Sequence, residues 1–81
     1  MNEIVGKELK VLRVRKDISL EKVAEDLGTS RETIRRYERG DTDMTIEKLE
    51  NLLKYYKTDA RIFFDNVCAN MQQKLGEKSE D

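Results

Sequence analysis

The chain has 81 residues, 41% of them charged, with no histidine, no proline, a single cysteine (Cys68) and a net charge of −1. That length allows one small domain burying about 60–65% of its unfolded surface. The missing histidine and lone thiol exclude an internal disulfide, zinc clusters and imidazole catalysis, and no nucleophile–base pair or Gly-rich phosphate loop is legible, so no enzyme, metal or cofactor is expected.

Met1–Val5 reads as a frayed lead-in to a first helix predicted over about Glu3–Lys16. Val5, Leu9 and Leu12 form its buried stripe, and Lys7, Lys10, Arg15 and Lys16 its outer face. Asp17-Ile18 is a short connector, and Ser19 is a good cap for a second helix. In that helix Leu20, Val23, Ala24 and Leu27 fall at helical spacing. Gly28 follows at once, where a helix stop takes a residue of positive φ. Thr29 and Ser30 can cap a third helix, Ser30 to about Arg39. Its only apolar residues are Ile34 and Tyr37, on one face. Arg31, Glu32, Thr33, Arg35, Arg36, Glu38 and Arg39 make up the rest. Such a helix packs on one side and offers the other to something polar. The overall charge conceals this, because residues 29–40 carry four arginines against two glutamates. A locally basic face of that kind steers a phosphate backbone to itself.

Residues 39–44 form a loop with Asp41 and Asp43. Asp43 or Thr45 caps a fourth helix whose apolar period is Ile46, Leu49, Leu52, Leu53 and Tyr56, and Glu47 supports its start by charge. Asp59 is a natural cap for a fifth helix, predicted over 59–75. Phe64, Val67, Cys68, Met71 and Leu75 make one stripe along it. A small core does not cover the whole of such a stripe, so a two-fold homodimer through this helix is expected. The alternative is a helix folded back onto the first or fourth. Cys68 is expected to be a small buried hydrophobe. The acidic tail, 76–81, is expected to be disordered. No leader-like stretch and no bilayer-length apolar run is present, so a soluble, cytoplasmic protein with no membrane partner is expected.

Ala24, Gly28, Ile34 and Tyr37, followed by Glu38-x-Gly40, resemble the helix-turn-helix of the Cro/CI-repressor-like (Xre-type) DNA-binding family. The resemblance runs from about Val5 to Phe64. It implies an all-α, five-helix, lambda-repressor-like domain, here residues 1–75 with an extended C-terminal helix. It also implies roles for residues. Arg31, Glu32 and Arg36 stand where the family commonly meets base edges. Arg31 and Arg36 can fork onto guanine O6 and N7, and Glu32 can accept from cytosine N4. Glu32 can equally serve the helix dipole or pair with Arg35 or Arg36. Ser30 and Thr33 stand at backbone or thymine-methyl positions, Arg35 at either kind of contact, and Arg39 beside the phosphates. Arg13 and Glu38 match a family ion pair that orients the recognition helix. The chain departs from the family pattern at Leu20, where a phosphate-contacting Gln is common, at the acidic loop, and at Lys57, where Gly is usual.

The implied function is a sequence-specific, double-stranded DNA-binding transcriptional regulator acting as a homodimer. RNA polymerase is a partner if it activates. Length, single domain and the Phe63-Phe64 pair suit controller proteins of restriction–modification systems, while phage repressors and antitoxins also fit. The rival from another class is a protein-interaction module, such as an antitoxin that mainly binds a toxin-type protein.

Overall fold

Five helices follow one another in the computed structural model: α1 (Asn2–Arg15), α2 (Leu20–Leu27), α3 (Arg31–Arg39), α4 (Ile46–Tyr55) and α5 (Ala60–Glu80). It describes the backbone of residues 2–80 and the side chains of residues 3–71, with no strand among them. The all-α expectation holds. The lead-in does not, because α1 is helical from Asn2. Ile4 and Val5 pack partly against the core, which gives that first turn something to hold. α5 runs past the expected end at Leu75 to Glu80. Side chains after Met71 lie outside the described residues, and the expectations for Leu75 and for a disordered tail over 76–81 fall there.

Local chemistry sets the helix ends. The side chains of Ser19, Ser30 and Thr45 each accept a first-turn N–H at 3.1 Å, from Lys22, Thr33 and Lys48. Those N–H groups have no partner inside their own helices. Thr45 is thus the cap of α4. Asp59 accepts from the Arg61 N–H at 2.7 Å and starts α5.

The ends of α1 to α4 share one closure. Asp17, Gly28, Gly40 and Lys57 all have positive φ. The next residue's N–H reaches back five positions: Ile18 to Arg13, Thr29 to Ala24, Asp41 to Arg36 and Thr58 to Leu53, at 2.9–3.2 Å. This is the Schellman pattern, which satisfies carbonyls that a helix end would leave open. Gly28 and Gly40 meet it without a Cβ penalty, whereas Lys57 holds φ at 55° with a full side chain. Lys57→Gly should therefore raise stability by about 0.5–1 kcal/mol, the left-handed penalty less the entropy that glycine adds to the unfolded chain. A urea midpoint that stays put or falls would show that Lys57 carries no strain.

The core draws on all five helices. Leu9, Val23, Ala24, Ile34, Tyr37, Leu52, Leu53, Tyr56, Phe63 and Val67 form one buried cluster. Burial, more than any neighbouring charge, pushes the Tyr56 hydroxyl pKa upward. Ile46 departs from the expected stripe of α4 and is 77% exposed. It is the first residue after the Thr45 cap. Across the surface, the Tyr55 hydroxyl donates to Asp26 Oδ2 at 2.6 Å and ties α4 to α2. That bond holds Asp26 below the usual carboxylate range and pushes Tyr55 up to about 12.

The α5 stripe divides. Val67 is buried, Met71 is half-buried, and Phe64 and Cys68 are exposed, while Phe63 beside the stripe is buried. Each residue turns the helix by about 100°, so Val67 and Cys68 stand at opposite margins of the stripe. One edge meets the protomer's own core and the other meets solvent. Cys68 therefore corrects an expectation: it is exposed, not a buried hydrophobe. Val67 belongs to the protomer's own core. The folded-back alternative accounts for this inner edge, since α5 packs on α1. There Asn70 Nδ2 donates to the buried Glu8 carboxylate at 3.3 Å.

Candidate nucleic-acid interface

α3 is held from two sides. α2 packs against it, with the small, buried Ala24 allowing close approach. α1 crosses its last turn at Gly6. A Cβ at Gly6 would lie 2.3 Å from the Tyr37 carbonyl oxygen and 2.6 Å from that of Glu38. Helical periodicity gives Gly6 no role. The signal that could have found it is an isolated glycine inside an otherwise helical pattern, which usually has a packing reason.

The Arg13–Glu38 pair implied by the family resemblance is formed. Arg13 Nε donates to Glu38 Oε2 at 2.7 Å and Nη2 to Oε1 at 3.2 Å. Nη1 donates to the Ile18 carbonyl at 2.9 Å. One guanidinium thus joins the end of α1, the α1–α2 connector and the last turn of α3. Its side chain is 12% exposed and that of Glu38 is 7% exposed, so water competes weakly for either. The bond to Glu38 raises the Arg13 pKa further, against the opposing effect of burial.

With Ile34 and Tyr37 turned into the core, the opposite face of α3 is open. The Arg31, Arg35 and Arg36 side chains are 60%, 44% and 61% exposed. Each stands near a carboxylate. Arg31 Nη1 is 3.1 Å from Glu21 Oε1, Arg35 Nη1 is 3.6 Å from Glu32, and Arg36 Nε is 3.7 Å from Glu32. Pairs this exposed are worth about 0–1 kcal/mol, so they do not prevent transfer of the arginines to a stronger anion. Glu32 takes the ion-pairing role in the isolated chain. Ser30 caps α3, and its hydroxyl lies 2.8 Å from that of Thr33.

A shallow cleft between α1, the start of α2 and α3 is lined by Lys10, Arg31, Arg35 and Arg39. Leu20 and the Arg13–Glu38 pair also line it. It brings the basic residues of two helices to one face, which suits a polyanion better than a small ligand. Leu20 packs partly against the core instead of offering a polar contact. Asp41 and Asp43 are exposed in the following loop. No group of acidic, Cys or His side chains able to hold a metal occurs among the described residues. No described helix is long and apolar enough to cross a membrane.

A family described as "Helix-turn-helix domain" matches residues 4–61. The cryptic phage CTXphi transcriptional repressor RstR of Vibrio cholerae is 30% identical over 71 residues, covering 88% of this chain. The chain spans 64% of that relative's length. The clp gene regulator ClgR from Corynebacterium glutamicum superposes with a TM-score of 0.87 at 19% identity, over 96% of this chain and 83% of that one. A mutant of the restriction–modification controller protein C.Esp1396I superposes with a TM-score of 0.77 at 24% identity, over 86% and 89%. At these identities the two superpositions establish the fold.

Proposed function

The chain belongs to the helix-turn-helix domain family, and on that premise we propose that it is a sequence-specific, double-stranded DNA-binding transcriptional regulator that acts in the cytoplasm as a homodimer. The observation that carries this reading is the division of α3, with Ile34 and Tyr37 buried and Arg31, Arg35 and Arg36 facing out. Arg31, Glu32 and Arg36 read base edges in the major groove. Arg35 serves groove or phosphate, and Ser30, Thr33, Arg39 and Lys10 serve the backbone. Ser30 does so beside its capping role.

The outer edge of α5 supports the dimer. Phe64 is 44% exposed, on the edge of α5 that the core leaves uncovered. Phe64, Cys68 and Met71 supply the contact, with Val67 buried in the protomer's own core. A two-fold pair places two copies of α3 on half-sites about one helical turn apart. The protein represses where its site overlaps a promoter and activates where it touches RNA polymerase.

Selection of bound sequences from a random duplex pool tests the reading. A palindrome with half-sites about 10–11 base pairs apart is expected. Arg31→Ala should relax preference at one base pair by about 1–3 kcal/mol. Lys10→Ala should weaken all duplexes alike and lower the salt slope by about one. A pool that shows no enrichment, or binding that ignores salt, would move the assignment to a protein-binding module.

A further inference from the structure

Resting on the reading of α3 as the duplex-facing helix, we propose that Glu21 of α2 is a positioning residue that sets how Arg31 meets its base. Arg31 Nη1 lies 3.1 Å from Glu21 Oε1. Arg35 and Arg36 take their carboxylate from α3 itself, three and four residues away along the helix at Glu32. A partner on the same helix moves with it. Glu21 is instead anchored in the first turn of α2, behind the Ser19 cap. Both side chains are largely exposed, so the contact does not lock Arg31; it biases the guanidinium toward one direction across the helix-turn-helix corner.

Two consequences follow for DNA. First, guanidinium presents its donors as a planar fork with several edges. An edge occupied by Glu21 leaves another for guanine O6 and N7, and a side chain oriented in advance loses less freedom on binding. Second, Glu21 carries a negative charge on the face that meets phosphates. A duplex that draws Arg31 away to the backbone exposes that charge and is penalised. A duplex with guanine at the right place leaves the pair intact. Glu21 thus lowers affinity for wrong sequences more than for the right one.

The test uses the full chain with Glu21→Gln, Glu21→Ala, Arg31→Ala and the Glu21→Gln/Arg31→Ala double variant. Each is titrated, at several salt concentrations, with the selected duplex, with the same duplex changed at the base pair that Arg31→Ala relaxes, and with random duplex. Both Glu21 variants should bind random duplex more tightly, with a salt slope steeper by about one. They should also lose at least about twofold in discrimination at the Arg31 base pair, the lower end of coupling between contacting side chains. In the Arg31→Ala background, Glu21→Gln should leave discrimination at that base pair unchanged. A merely structural role would shift the melting temperature and leave this base preference alone. If Glu21→Gln tightens every duplex by one common factor with preference intact, Glu21 is only bulk charge and the proposal fails while the regulator reading stands. A wild-type chain that selects no sequence overturns both.

Discussion

Gly6→Ala should destabilise the domain by about 2–3 kcal/mol, the upper part of the usual cost of overpacking. Helix propensity alone argues the other way, since alanine is favoured over glycine in a helix interior by about 0.8–1 kcal/mol. Geometry decides. The added methyl would meet two backbone carbonyl oxygens of α3 at 2.3 and 2.6 Å and a carbonyl carbon at 2.8 Å. No flexible side-chain end is there to yield, so α1 must move away from α3 by about an ångström, and the interface that buries Leu9, Ile34 and Tyr37 opens with it. A domain of this size is stabilised by about 0.05–0.15 kcal/mol per residue, so the loss is a large share of the whole. At about 4–8 °C per kcal/mol, thermal unfolding should fall by about 10–20 °C. Lys7→Ala, at the exposed neighbouring position, should stay within about 0.5 kcal/mol. A Gly6→Ala protein as stable as wild type would mean that the two helices do not rest on each other there.

The contrast between Gly6 and Gly28 shows which parts of this fold are written locally. Gly28 follows an apolar period and precedes a cap, so its place as a left-handed stop was legible from its neighbours. The same holds for Ser19, Ser30 and the narrow apolar face of α3. Gly6 matters because of what lies across from it on another helix, and a one-dimensional pattern does not carry that. Asp17 and Lys57 adopt the geometry of Gly28 with side chains attached. Resemblance pointed to Lys57, while composition pointed to neither. In α5 the spacing was right, but period alone does not say which surface faces which edge. Val67 went to the protomer's core and Cys68 to solvent. At the candidate interface the outward arginines were legible from the apolar pair opposite them. Glu21 was not, because its contact with Arg31 joins two helices across a turn.

Arg13→Ala should cost about 2–4 kcal/mol, well above the 0–1 kcal/mol of an exposed pair and below the most costly buried breaks. The substitution leaves Glu38, only 7% exposed, without its cation, and leaves the Ile18 carbonyl without its side-chain donor. Glu38→Ala should cost less, because Arg13 keeps its bond to the Ile18 carbonyl. The double variant should fall short of the sum of the two, with a coupling of about 1–3 kcal/mol for side chains in direct contact. Arg13→Lys should not restore wild-type stability, since one ammonium cannot span both Glu38 oxygens and a carbonyl on a third side. Urea unfolding of the four proteins measures the cycle. Additive losses, or an Arg13→Ala melting temperature equal to wild type, would remove the pair from the account of how α3 is held. The same proteins bear on function. Neither residue is placed against a base, so an effect on sequence selectivity must come through the tilt of α3. Arg13→Lys, folded but loosely bridged, should then bind the selected duplex less tightly than wild type while random duplex is bound equally well, because phosphate contacts tolerate a small tilt and base-edge contacts do not.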